Sequence, residues 1–321
     1  MALEFTKLFK GASAVSQVGN YGFFQLSTQS AGGGGEAEFS RVFGGNSPAV
    51  ISQVGAEIAK NNMTSSQVAE TYGWNIGDTT DITLSTGETI QMRIIGFNHD
   101  TLSDGSGTAG ITLEAIRVIN GGSMFSSNSA QGGYPASVLR NTRLPEIKQT
   151  LPQEWQDVIK KVNKKSANGA QSYYSNVVTT SEDLFILSVI ELKGTTESAG
   201  GSSEGVWYEH YQNGASSIKY QAANPTIVSS YWLRSCSTSN YKNMYYVNAE
   251  GGVSTRSVTR GDGLSFAFCV GSASDSTGGG ESGGTVVEEV QNDTGTTLNI
   301  TSTNYTETLN EQNGYTLEIG G

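Results

Sequence analysis

The chain has 321 residues, of which 41 are Gly and only 5 are Pro, and 15% are charged. This composition is typical of a protein rich in β-strands and loops. The net charge is −11, and the basic residues cluster only at positions 160–161 and 164–165, which argues against nucleic-acid binding because phosphate recognition needs a basic surface. No apolar run approaches the roughly 20 residues of a membrane span. The N-terminal stretch is too interrupted for a signal peptide, so we expect a protein made in a cytoplasm without membrane insertion.

The first 45 residues are predicted to form an extended N-terminal arm rather than a domain. Two alternatives are open, an arm that packs on another protein surface and a disordered leader, and the aromatic residues favour the arm. The glycine run at 32–35 is expected to be flexible. Residues 1–45 are therefore expected to become ordered against a neighbour.

Two helices are predicted within residues 46–72. Pro48 suits a first helical turn after a cap at Asn46 or Ser47, and apolar residues then recur with helical spacing. The sequence from Thr64 to Gln67 is a capping-box pattern that opens the second helix.

Alternating apolar residues predict strands across 76–119, with a turn at 85–88. His99 stands next to Asp100 within this region. A general base also needs a nucleophile and an orienting partner, and neither is visible nearby. We therefore interpret His99 as a hydrogen-bonded structural residue.

Residues 150–165 predict a longer helix. Its buried face would be formed by apolar residues at helical spacing, namely Trp155, Val158, Ile159 and Val162. The neighbouring lysines would mostly lie away from that face, so we interpret them as a solvated surface: Lys160, Lys161, Lys164 and Lys165.

The nearly continuous apolar run at 184–192 predicts a strand buried on both faces. An aromatic group follows at 207–211. Packing of these rings on the core is favoured over a sugar-binding platform.

The chain is organised around residues 231–270. This stretch reads as a core strand, a polar loop rich in Ser, Asn and Tyr, a hairpin at Gly251 and Gly252, and a second core strand. Polar loops on a fixed β-scaffold are the usual place for binding residues.

Two cysteines, Cys236 and Cys269, lie near the two ends of this stretch. They are interpreted as partly buried free thiols or, alternatively, as a disulfide, and a reducing cytoplasm favours the thiols. The chain has only two histidines, and neither CxxC nor HxxxH spacing occurs. We expect no bound metal and no cofactor.

Residues 271–284 are predicted to be a Gly/Ser linker, and residues 285–321 a small β-module. A module of this size without a disulfide or metal rarely folds alone. We therefore expect it to dock onto an identical subunit, which would make the protein a homo-oligomer, or onto another protein.

Six blocks occur in the order seen in one domain family: 73–78, 94–100, 137–140, 151–152, 183–188 and the stretch that opens with Trp-Leu-Arg-Ser at 232–235. On these blocks the chain resembles the uncharacterised family DUF6273, whose members occur in bacteria and on phage particles. That family resembles the C-type-lectin-like fold of formylglycine-generating enzymes and phage receptor-binding tips. The resemblance implies an α+β, C-type-lectin-like core at 46–270, flanked by the arm and the module.

The function implied by this resemblance is that of a non-enzymatic bacteriophage virion structural protein, either a capsid decoration or fibre or a tail or baseplate component. It would be assembled in the host cytoplasm, contact other virion proteins, and display a lectin-like surface for a host glycan or protein. The alternative is a bacterial surface lectin or adhesin, which would need export. An enzyme related to the formylglycine generators is disfavoured, because those enzymes need a close thiol pair and the loop after Trp232 has only Cys236.

The predicted ligand-binding residues lie on the polar loop and the strand that follows it: Tyr241, Asn243, Tyr245 and Asn248. Tyrosine offers a large contact area at low entropy cost, and asparagine offers adaptable hydrogen bonding. The motifs of calcium-dependent lectins are lacking, since the nearest elements are Asn224-Pro225 and a Trp232 followed by Leu233.

Overall fold

The computed structural model describes residues 40–169 and 176–276, together with the backbone of six short strands outside these ranges. Seven α-helices are present in the described residues: α1 Pro48–Lys60, α2 Ser65–Tyr72, α3 Gly133–Ala136, α4 Leu144–Thr150, α5 Gln153–Val158, α6 Val189–Lys193 and α7 Glu209–Gln212. The strands β1 to β9 are Ala14–Val18, Phe23–Ser27, Thr79–Thr83, Thr89–Phe97, Ala109–Ala115, Arg117–Ser123, Ile159–Lys160, Val162–Ala167 and Val177–Glu182. The strands β10 to β17 are Leu184–Phe185, Lys219–Gln221, Val228–Ser229, Tyr231–Cys236, Asn243–Val247, Val253–Ser257, Gly261–Leu264 and Ala267–Ser272. The last four, β18 to β21, are Val290–Gln291, Thr297–Leu298, Tyr305–Asn310 and Gly314–Ile319.

The described chain divides into two units. One comprises Phe39–Ser276 and carries strands β3 to β17 with all seven helices. The other comprises Met1–Glu38 with Thr277–Gly321, where the described strands form three antiparallel pairs, β1–β2, β18–β19 and β20–β21. The rest of the predicted arm, linker and C-terminal module lies outside the described residues.

Two larger sheets build the main unit. The first has the order β10-β17-β5-β4-β3, with β7 also pairing with β17, and all its pairs are antiparallel. The second has the order β12-β11-β6-β16-β13-β14-β15 and includes two parallel pairs, β11–β6 and β13–β16. Strands β8 and β9 form a separate antiparallel pair. Helices and mixed sheets together make a mixed α/β domain, in agreement with the predicted class at this level.

Helix α1 packs closely on β5 and β17 because glycines line the contact. A Cβ added to Gly110 would lie 1.8 Å from the carbonyl oxygen of Gly55, and one added to Gly271 would lie 2.3 Å from the Gly55 carbonyl carbon. Gly271 also has a φ of +76°, which favours glycine. The absence of side chains at these positions allows the helix and sheet backbones to touch.

The predicted helix starts are confirmed. Ser47 caps α1 by accepting a hydrogen bond from the Val50 backbone, and proline occupies the first turn. Thr64 and Gln67 form the predicted capping box at α2.

The predicted helix at 150–165 is wrong beyond Val158. Helix α5 ends there, and Ile159 adopts an extended conformation and pairs with Val270 of β17. The chain then continues into β8, where alternate residues face inward and Lys164 is only 2% exposed. The interpretation of Lys164 as a solvated lysine is therefore wrong, because a strand and not a helix sets its direction.

The apolar run at 184–192 is buried as predicted, but only its first two residues form a strand. Ser188 then opens helix α6 through a capping box with Glu191. The capping bonds outweigh the β-like composition of this run.

The domain extends past both predicted boundaries, 46 and 270. Phe43 is buried with its ring 5.0 Å from that of Trp74. At the other end, β17 continues to Ser272, and Asp275 forms an ion pair with Lys160 at 2.7 Å. Residues 271–276 therefore belong to the domain rather than to the linker.

Candidate ligand-binding surface

Three polar segments meet at the carboxyl end of β13, namely residues 124–132, 197–205 and 237–242. The backbone N–H of Ala130 donates to the carbonyl of Tyr241 at 2.7 Å, and that of Ala199 donates to the carbonyl of Cys236 at 3.0 Å. These bonds tie two neighbouring loops to the polar loop that follows β13.

Exposed and half-buried side chains of segments 124–132 and 237–242, with neighbours on β14 and β15, form one polar surface around an aromatic ring. Tyr241 is 44% exposed, and the ammonium of Lys242 lies 5.4 Å from the centre of its ring. The hydroxyl of Ser257 donates to the side-chain oxygen of Asn128 at 3.1 Å. We call this region the Tyr241 surface and define it by Asn128, Asn240, Tyr241, Lys242, Asn243 and Ser257.

Of the four predicted ligand-binding residues, the structure brings Tyr241 and the half-buried Asn243 to this surface. Tyr245 is only 8% exposed, and its hydroxyl donates to the carbonyl of Glu197 at 2.8 Å. The side chain of Asn248 accepts hydrogen bonds from the backbone of Glu250 and Gly252, so it shapes the hairpin turn.

The position of Tyr245 follows from the covering of β14 on both faces. Met244 belongs to one buried apolar cluster, whereas Tyr245 and Val247 belong to another. Strand alternation therefore directs neither face of the middle of β14 to solvent.

Beneath the loops lies a fully buried group of charges that we call the Arg234 cluster, formed by Asp100, Lys164, Glu191 and Arg234. Arg234 pairs with both carboxylate oxygens of Glu191, one of them at 2.7 Å. The ammonium of Lys164 lies 2.6 Å from Asp100 and 2.8 Å from Glu191. Two carboxylates and two cations thus balance one another away from water.

Glu204 connects this cluster to the loops. Its carboxylate accepts hydrogen bonds from the hydroxyls of Ser198 at 2.6 Å and Ser235 at 2.5 Å, and from the backbone of Ala167 at 3.0 Å. Its own carbonyl accepts a bond from Arg234 at 2.5 Å. The segment 197–205 is thereby fixed to β13 and β8.

The electrostatics of the cluster keep both carboxylates ionised. Burial raises the pKa of Asp100, but the charge of Lys164, the interactions with His99 and the hydrogen bond from Lys164 together outweigh burial and hold this pKa well below its usual range. Burial also acts on Glu191, whose pKa is nevertheless lowered by Arg234 and then by Lys164. These ionised groups are bonded to one another and serve to hold the scaffold.

A second buried group lies around Glu114. Its carboxylate pairs with Lys219 at 2.5 Å and Arg93 at 3.0 Å, and it accepts a bond from the hydroxyl of Tyr211 at 2.7 Å. Burial raises the pKa of Glu114, but Lys219 and Arg93 together lower it to about 2. This group joins β4, β5, β11 and α7.

His99 has structural contacts, as predicted. Its ring stacks on that of Tyr208 with centres 3.8 Å apart, and its Nε2 lies 3.1 Å from the carbonyl oxygen of Val206. The hydroxyl of Tyr208 in turn donates to Asp100 at 2.8 Å. The predicted packing of this aromatic group on the core is confirmed for Tyr208 and Tyr211, which are buried.

Both cysteines are free and buried. Burial raises the pKa of the Cys236 thiol to about 12, and burial followed by the charge of Asp100 raises the pKa of Cys269. Thiol chemistry needs the thiolate, so neither group is a nucleophile near neutral pH.

Within ranges 40–169 and 176–276 there is no group of three or more His, Cys, Asp or Glu side chains arranged to hold a metal ion. Among the helices that the structure describes, none combines the length and the apolar character required to cross a membrane.

Sequence reasoning missed the Arg234 cluster and the Glu114 group. Their members are widely separated, with Lys164 and Asp100 64 residues apart and Arg234 and Glu191 43 apart. The one local signal was the spacing from Ser188 to Glu191, which marks a capping box.

The fold and the surface define a mixed α/β domain in which buried charge groups support polar loops at one end of a sheet. The family model of DUF6273, a domain of unknown function, matches residues 110–272, and the chain belongs to this family. The match begins within β5 and ends with the last residue of β17. No curated protein and no solved structure matches the chain.

Proposed function

We propose that the protein is a non-enzymatic bacteriophage virion structural protein whose C-type-lectin-like domain presents the Tyr241 surface to a ligand on the host. One observation carries the proposal: an exposed tyrosine stands among amide and hydroxyl side chains on loops that are joined to one another and to β13 by hydrogen bonds. The placement on a phage particle draws on the resemblance to a family whose members occur there.

The chemistry of the Tyr241 surface suits a glycan. A tyrosine ring packs against the C–H face of a sugar, while the amides of Asn128 and Asn240 and the hydroxyl of Ser257 match sugar hydroxyls. Because the loops are already bonded to β13, little conformational entropy is lost when a ligand binds.

The proposed lectin-like fold is supported by the layout of the domain. Long polar loops leave one end of the curled second sheet, while α1 covers the first sheet. Binding would proceed without calcium, in keeping with the absence of the calcium-lectin motifs from the sequence.

The first test compares binding to host cells and to a glycan array by the full chain and two tyrosine variants. Tyr241→Ala is expected to weaken binding at least about tenfold, the effect of removing an aromatic anchor. The matched control is Tyr220→Ala, since Tyr220 is 39% exposed on β11, which three strands separate from β14. Equal binding by the Tyr241 variant and the wild type would refute this surface.

The second test locates the protein. Immunogold labelling of intact particles is expected to mark the head or the tail. Label on the bacterial surface, with none on particles, would refute the virion assignment and favour a bacterial lectin or adhesin.

A further inference from the structure

The ammonium of Lys164 is enclosed by two carboxylates and two aromatic rings. Its Nζ lies 2.6 Å from Oδ1 of Asp100 and 2.8 Å from Oε1 of Glu191, and the three side chains are at most 3% exposed. The same Nζ lies 4.1 Å from the ring centre of Phe185 and 5.4 Å from that of Tyr208. An amine, a carboxyl carbon and a second carboxylate are thus held together without water.

We propose that Lys164 and Asp100 condense to an intramolecular isopeptide bond, with Glu191 as the group that transfers the protons. The arrangement holds an amine nucleophile, an acyl acceptor and a neighbouring base at contact distance. Reacting groups held together in this way undergo acyl transfer much faster than the same groups free in solution. No cofactor or external enzyme takes part.

The step balances within the cluster. One proton of the Lys164 ammonium first passes through Glu191 to Oδ1, which leaves a neutral amine and a protonated Asp100. Nζ then attacks Cγ of Asp100, a C–N bond forms, and the bond from Cγ to Oδ1 breaks. In all, two of the three ammonium protons pass through the Glu191 carboxylate to Oδ1, which leaves as water, and Glu191 ends ionised as it began. The charges of Lys164 and Asp100 disappear together, so the product is a neutral amide.

The other oxygen of Asp100 is held where negative charge develops during the attack. Oδ2 accepts a hydrogen bond from the hydroxyl of Thr112 at 2.6 Å, and the hydroxyl of Tyr208 lies 2.8 Å from Oδ2 and 3.0 Å from Oδ1. Donors fixed in this way stabilise the oxyanion of an acyl-transfer intermediate. The leaving oxygen, Oδ1, faces Nζ and lies 3.5 Å from Nδ1 of His99.

Charge balance favours condensation of Lys164 with Asp100 over condensation of the other buried lysine–carboxylate pair, Lys219 and Glu114. Condensation of Lys164 with Asp100 leaves Glu191 and Arg234 paired with each other. Condensation of Lys219 with Glu114 would remove the carboxylate that pairs with the buried Arg93 and strand its charge, which is strongly unfavourable. Lys219 also has no second carboxylate among its hydrogen-bond partners, which are Glu114, the carbonyl of Ala115 and Ser265.

The bond would join the segment after β4 to strand β8. Such a link would hold the base of the loop-bearing scaffold together, much as a disulfide does, but in a form that reducing conditions leave intact. It stands independently of the ligand proposed for the Tyr241 surface.

The test is the intact mass of the purified full chain under denaturing conditions. A mass lower than that of the sequence by about 18 Da, one water, is expected. Because cyclisation at an Asp-Gly step also loses water, proteolytic mapping must show the peptide containing Lys164 joined to the one containing Asp100, with no tryptic cleavage after Lys164. A folded wild type of full sequence mass, or a water loss located elsewhere, would overturn the proposal.

Variants add a second readout. Lys164→Arg keeps the positive charge but cannot form this amide, so its mass is expected to equal that of its sequence. Lys219→Arg is the matched control and is expected to retain the loss of water. If Lys164→Arg does not fold, the mapping of the wild type alone decides the question.

Discussion

Removing Arg234 should expose how much the fold depends on the Arg234 cluster. Arg234 is fully buried, and besides its pair with Glu191 it donates to the carbonyls of Ile186 at 2.9 Å, Lys165 at 3.1 Å and Glu204. In Arg234→Met, Glu191 would lose the cation that pairs with both of its carboxylate oxygens, and three carbonyls would lose a donor. Breaking a buried pair costs about 3–5 kcal/mol, and each orphaned carbonyl adds to that cost. We expect the free energy of unfolding to fall by at least about 3–5 kcal/mol.

The measurement is urea unfolding of the full chain followed by tryptophan fluorescence. Arg143→Met is the matched control, because Arg143 is 38% exposed and its partners, Glu146 and the carbonyl of Asn120, are exposed as well. Such surface interactions contribute about 1 kcal/mol or less. If the free energies of unfolding of the two variants differ by less than about 1 kcal/mol, the buried pair of Arg234 and Glu191 does not stabilise the fold.

Three further predictions concern the core, the acid response and the helix–sheet contact. Trp155→Ala or Trp232→Ala should each lower the free energy of unfolding by about 3–5 kcal/mol, because both side chains are at most 4% exposed, and unchanged melting temperatures would contradict the core assignment. The pKa of Glu114 falls from 4.5 to about 2 on folding, so its contribution is complete above pH 4.5 and is lost as the pH drops towards 2. In Glu114→Gln the pH dependence of stability in this range should flatten, and a slope equal to that of the wild type in urea titrations would show that Glu114 is not responsible. Gly110→Ala should destabilise the fold because its Cβ would meet the α1 backbone, whereas Gly261→Ala has nothing within 4 Å and should be tolerated; equal melting temperatures would contradict this.

The sequence predicted local features well where a single short pattern decided the structure. The caps at Ser47 and Thr64 and the alternation in β3 and at the start of β4 each depend on residues within a few positions of one another. These local patterns determine backbone hydrogen bonds and side-chain directions without any contribution from distant residues, so they can be predicted from the sequence.

Residues 155–165 show where local reading failed. The apolar positions Trp155, Val158, Ile159 and Val162 fit a helix, but they also fit a short helix followed by two strands. Pairing of Ile159 with Val270, more than a hundred residues away, decides between the two. Because residues 162–167 form a strand, Lys164 points to the interior and not to solvent. Its place in the Arg234 cluster could therefore not be predicted from the sequence.

The residues of the predicted ligand-binding set do not all lie on one exposed surface, for a related reason. An alternating strand on a sheet with one free face would present Asn243 and Tyr245 together. Strand β14 instead lies between two apolar clusters, so Tyr245 is buried whereas Asn243 at the loop end is half-buried. The burial of Tyr245 is determined by elements distant in sequence, including the segment that contains Glu197.

Burying ionised groups beneath polar loops is costly, and an apolar core of equal volume would often be as stable. The charged groups fix the relative positions of three elements: β13, the segment after β10 and the loop 197–205. Arg234 and Glu204 connect these elements through hydrogen bonds of defined direction. An apolar contact would tolerate sliding between these elements, whereas charged hydrogen bonds do not. The loops can therefore differ in sequence while their ends stay in place, which is the property that a domain presenting a recognition surface requires.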